Sequence, residues 1–192
     1  IMEVQVERVY KRPEFIYYQD ALDAFTEARH KLNECIENDN RDFRKLFNEY
    51  KEKAEGGDVI AMDIVAYYYK TGVPNLLPEN YDLYLKWELL SAARGNEFAI
   101  EKLQFILNYA MDSIIASEDY ETIVYKNDID DHNLIYVLGK ALCKMLVKEM
   151  KIYLEDMKEA RDIAKPYTQE AFISLRKNID DVVQKTIEYL KS

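Results

Sequence analysis

Four of the five glycines in this 192-residue chain fall between Gly56 and Gly95, and the whole chain has only four prolines to interrupt the backbone. Each of the four follows a stretch with helical apolar spacing, so they mark helix ends. They do not form a phosphate cradle, because there is no Gly-x-Gly-x-x-Gly and no Gly-Lys-Ser/Thr. A chain this poor in breakers favours long helices over many short strands, and sustained period-2 alternation is almost absent. Nearly half of the residues are hydrophobic, with 16 Tyr and 7 Phe, enough to bury a sizeable core. The expected class is all-α.

Reading forward, only residues 1–12 suggest extended backbone, with Val4, Val6 and Tyr10 loosely alternating with charges. Tyr18, Leu22, Phe25, Leu32 and Ile36 then form one helical stripe, broken at Asn38-Asp39-Asn40. A second helix is expected over 42–55, stopping at Gly56-Gly57. Asp58 caps a third that ends at Gly72. A Val73–Pro78 loop follows, and Pro78 is placed at the start of a helix running to Arg94. One more helix begins at Asn96 and carries Phe98, Leu103, Ile106, Leu107 and Ala110. Two long amphipathic helices, near 131–164 and after Pro166, read as a C-terminal antiparallel hairpin. The expected organisation is a single helical domain: an N-terminal segment and helix (1–40), a repeat region (41–110), an acidic connector (111–130) and the hairpin (131–192).

An internal echo supports the repeat. Gly57-Asp58-x-x-Ala61 returns as Gly95-Asn96-x-x-Ala99, an offset of 38 residues, and Val65 and Leu103 follow each four positions on. That period lies within the roughly 20–45 residues of solenoid units. The order Gly57, Ala61, Val65-Ala66, Tyr69 and Gly72, then Asn80-Tyr81, Trp87, Ser91-Ala92 and Gly95, resembles a Sel1-like repeat of the tetratricopeptide-like class. The match spans one full repeat with half-repeats on either side, within 42–110. It departs from the family pattern at Ala66, at Tyr84 where a small residue is usual, and in the long Pro74–Pro78 loop. The resemblance implies a helix-turn-helix solenoid closed by the hairpin, acting as a protein-binding adaptor. It also implies that Asp63, Tyr67, Lys70, Glu101 and Asn108 line a concave, partner-holding side.

Charge narrows the partner. The formal net charge is −10, which disfavours phosphate backbones, and no run of Lys/Arg provides a local exception. Residues 112–131 carry seven carboxylates against Lys126 and so hold −6 of that charge. Their Glu118, Asp119, Glu121, Asp128, Asp130 and Asp131 motivate an alternative of another class: a small acidic inhibitor, such as a bacterial immunity protein, that neutralises a basic toxin or enzyme. Catalysis finds little support, since His30 and His132 are far apart and no H-E-x-x-H, C-x-x-C or nucleophile elbow occurs. His30 with Glu34, or Asp128 to His132, could be imagined around a metal, but Asp at a helix start is usually a cap. No enzyme, cofactor or metal is expected. Cys35 and Cys143, far apart on helices, read as reduced thiols. Without a signal-like run or an apolar stretch of about 18 residues, a cytoplasmic protein with no membrane association is expected.

Overall fold

The computed structural model describes residues 14–39, 42–159 and 168–192. Among them run nine helices and no strand: α1 Tyr18–Glu37, α2 Phe43–Glu55, α3 Val59–Thr71, α4 Tyr81–Ala93, α5 Glu97–Lys102, α6 Gln104–Ile115, α7 Tyr120–Asn127, α8 Leu134–Glu159 and α9 Thr168–Lys191. The all-α expectation holds for these residues. The extended reading of residues 1–12 and the turn at Pro166 lie outside them.

The polar punctuation works as capping chemistry. Asp58 accepts from the Ala61 amide at 3.0 Å, and Asn80 from the Leu83 amide at 3.0 Å. Asn96 accepts from Phe98 and Ala99 at 3.0 and 3.2 Å. Its own amide donates to Ser91 Oγ at 2.9 Å, and that hydroxyl donates to the Val59 carbonyl at 2.7 Å. One relay of side chains therefore ties the start of α5 to the end of α4 and the start of α3. Gly57, Gly72 and Gly95 adopt φ of +103°, +67° and +94°, the left-handed region in which a Cβ is strained.

Several boundaries differ from expectation. Pro78 does not open α4. The preceding loop folds on itself through Val73 N to Leu77 O at 2.7 Å, Asn80 N reaches Tyr69 O at 2.9 Å, and Asn80 becomes the cap. The helix expected from Asn96 to Ala110 is broken at Leu103, whose amide donates to both Ala99 and Ile100 carbonyls in one tightened turn. No glycine or proline marks that break. The acidic stretch 111–130 is not a bare connector, since it holds the end of α6 and all of α7.

Two apolar clusters meet across α4. Tyr84 and Trp87 join Phe43, Phe47, Ile64, Val65 and Tyr68 on one side. Leu85, Leu89 and Ala92 join Leu107, Ile114, Leu138, Leu142 and Val183 on the other. A helix apolar on both flanks must be central, and α4 packs against both α3 and α8. The fifth glycine, Gly139 in α8, lets that helix lie against α5. A Cβ there would stand 2.5 Å from Ile100 Cγ2. Helix α9 packs on α6, α7 and α8, so the C-terminal helices cover the α4–α6 side of the stack.

Candidate functional site

The most unusual chemistry lies in the core. Asp63 on α3 and Glu88 on α4 are 1% and 0% exposed, and Lys102, the last residue of α5, reaches both. The ammonium donates to Asp63 Oδ1 at 2.5 Å and stands 3.1 Å from Glu88 Oε1. It also lies 4.2 Å from the Phe98 ring centroid and 4.7 Å from that of Phe25, so aromatic faces complete its shell. The Glu88 carboxyl is met by the Lys102 ammonium and adjoins Asp63, with neither oxygen in a well-directed hydrogen bond among the described residues.

Burial, reinforced by the neighbouring Asp63 carboxylate, pushes the Glu88 carboxyl well above its ordinary value. The nearby Lys102 opposes this and does not overcome it. For Lys102, burial alone would lower the ammonium, but Glu88 and Asp63 outweigh it and raise it. One ammonium is thus shared by two buried carboxyl groups, and Glu88 is the one that burial and the Asp63 charge make easier to protonate. Because the folded-state carboxyl is raised, its contribution to stability is complete below the ordinary carboxylate range and is lost as pH rises through the shifted value. Glu88→Gln is therefore expected to flatten the fall in urea midpoint between mildly acidic and alkaline pH. Parallel wild-type and variant profiles would contradict this reading.

Asp63 was expected on an open partner-binding side, and the structure corrects that. Helix α1 lies over this face: Tyr68 Oη donates to the Ala28 carbonyl at 3.1 Å, and Phe25 meets Tyr67 edge-on at 4.8 Å and Phe98 at 5.2 Å. Tyr67 is consequently half-buried, while Lys70 is exposed with its ammonium 5.1 Å from the Tyr84 ring. A side chain whose charge is neutralised by Lys102 and whose surface is sealed by Phe25 offers nothing to an incoming protein.

Glu101 and Asn108 are exposed, and the structure sets Phe105 and Tyr109 beside them, 60% and 61% exposed. Phe105, Asn108, Tyr109 and Asp112 follow helical spacing along the outer side of α6, and Glu101 lies just before them in α5. Tyr109 Oη reaches Asp180 of α9 at 3.4 Å. The helical spacing in the sequence did not single out Phe105 or Tyr109. Within α6 the buried side is taken by Leu107, Ala110, Met111 and Ile114, which leaves Phe105 facing outward.

The acidic segment divides. Asp119 pairs with Lys191 at 2.9 Å, and Asp130 accepts from the His132 and Asn133 amides at 2.8 and 3.0 Å as a local cap. Glu118, Glu121, Asp128 and Asp131 are exposed, and Tyr125 among them is 89% exposed. Among the described residues no group of three or more His, Cys, Asp or Glu gathers that could hold a metal ion. Cys35 and Cys143 are free thiols, and burial pushes the Cys143 thiol up. No described helix is long and apolar enough to cross a membrane.

No family model, curated protein or solved structure matches the chain.

Proposed function

We propose that this chain is a protein-binding adaptor built on a Sel1-like, tetratricopeptide-like helical array, and that it presents the outer side of α6 to its partner. The observation that carries this reading is the adjacent pair Phe105 and Tyr109, each more than half exposed and bordered by Glu101, Asn108 and Asp112. Two large aromatics one helical turn apart supply an apolar anchor, and the carboxylates beside them supply a polar edge suited to a basic partner. The packing of α2 on α3 and α3 on α4 fits a helix-turn-helix array, with α1 closing its inner side. The array is a scaffold in this reading, and the surface that α1 leaves open does the binding.

A second reading, the small acidic inhibitor, draws support from Tyr125, which stands almost fully exposed between Glu121 and Asp128. There the attraction is chiefly electrostatic and screened by salt.

Affinity capture from source-cell lysate at low and high salt separates the two. The adaptor reading expects a captured protein retained in salt and lost with Phe105→Ala/Tyr109→Ala at unchanged helicity. Equal recovery by that variant would remove the α6 surface. Loss in salt and with Tyr125→Ala/Glu121→Gln instead would favour the inhibitor.

A further inference from the structure

The cleft between α8, the end of α9 and the end of α7 runs against the charge of the whole molecule. It measures about 340 Å³, and Lys126, Lys140 and Lys144 line it together with Glu14 and Asp128. Three ammonium groups and two carboxylates give a local sum of +1, in a chain whose formal sum is −10. The remaining walls include the rings of Phe15 and Tyr189.

Each ammonium is held by a neutral group. Lys144 Nζ donates to Tyr189 Oη at 3.0 Å and lies 4.6 Å from that ring's centroid. Lys140 Nζ lies 5.1 Å from the Phe15 centroid, and Lys126 Nζ donates to the Lys191 carbonyl. Ion pairs among the described residues engage Lys31, Lys102, Lys185 and Lys191. Phenol, ring face and carbonyl position these lysines without cancelling their charge. Lys140 and Lys144 also share one face of α8 four residues apart, a like-charge arrangement that is unfavourable without an anion nearby.

We propose that this cleft binds a compact, multiply charged phosphate ligand of the diphosphate or triphosphate class. Lysine ammoniums act as point charges with rotatable donors, which suits the many oxygens of a phosphate chain better than the planar fork of a single carboxylate. Both ring faces already carry an ammonium, so the recognition is of charge and not of a stacked base.

Isothermal titration with inorganic pyrophosphate at low ionic strength tests the site. The expected result is saturable one-site binding that weakens at least about tenfold in Lys140→Gln/Lys144→Gln and stays within about threefold in Lys140→Arg/Lys144→Arg. A charge-matched control on α2, Lys45→Gln/Lys53→Gln, is expected to bind like the wild type. Adenosine diphosphate, titrated in parallel, distinguishes the source: tighter binding than pyrophosphate assigns a nucleoside-carried diphosphate, and equal or weaker binding assigns the free anion. Absence of saturable pyrophosphate binding to the wild type, or equal weakening by both glutamine pairs, overturns the proposal.

Discussion

Replacing Lys102 with methionine is expected to destabilise the fold by about 3–5 kcal/mol, the usual loss when one partner of a buried ion pair is removed. Methionine preserves most of the volume and the contact with Phe25 and Phe98, so the loss isolates the charge. What remains is Asp63, 1% exposed, with its ammonium partner gone and the Glu88 carboxyl beside it. The companion variant Asp63→Asn/Glu88→Gln/Lys102→Met removes all three ionisable groups and is expected to recover much of the loss, because the penalty belongs to the orphaned carboxylate. Urea denaturation followed by circular dichroism reads both. A single-variant loss under about 1 kcal/mol would mean that water reaches the cluster and that the three helices are not locked together there.

Gly95→Ala is expected to be nearly as damaging, by roughly 2–4 kcal/mol, from the sum of backbone strain at positive φ and overpacking. Its φ is +94°, and a Cβ would lie 2.4 Å from the Glu14 carbonyl oxygen and 3.1 Å from the Phe15 ring. Backbone holds that carbonyl in place: Ile16 N donates to Gly95 O at 2.8 Å and Glu97 N to Ile16 O at 3.0 Å. Gly57 shares the positive φ, but a Cβ there has only an arginine side-chain nitrogen at 3.8 Å. Gly57→Ala is therefore expected to cost about 1 kcal/mol from strain alone. Thermal melts of the two variants check the difference, and equal losses would contradict the role assigned to the chain before α1.

These two positions show how far the residues could be read in advance. Gly57, Gly72 and Gly95 announced helix ends because φ is a local property, and the Asp58, Asn80 and Asn96 caps sit where their side chains meet free amides. Trp87 and Tyr69 lie in the core, as their places in the repeat pattern implied. Asp63 was misplaced because nothing local distinguishes an acid facing solvent from one facing a lysine 39 residues away. Glu88 and Lys102 likewise look like ordinary surface charges within their own helices, and only the packing of α3, α4 and α5 brings them together. The surface on α6 was not legible. Glu101 and Asn108 were expected on the concave side of the array, and Phe105 and Tyr109 are apolar residues in a helix that also buries Leu107, Ala110 and Met111.

The central claim, that the outer side of α6 holds a partner, is tested most directly by site-specific photo-crosslinking in cells of the source organism. A photoreactive phenylalanine analogue replaces Tyr109, and separately Asn48 on the exposed side of α2. The account predicts a discrete crosslinked species from position 109 that is absent from position 48 and lost when Phe105 is also changed to alanine. No adduct at position 109, or the same adducts from both positions, would contradict it.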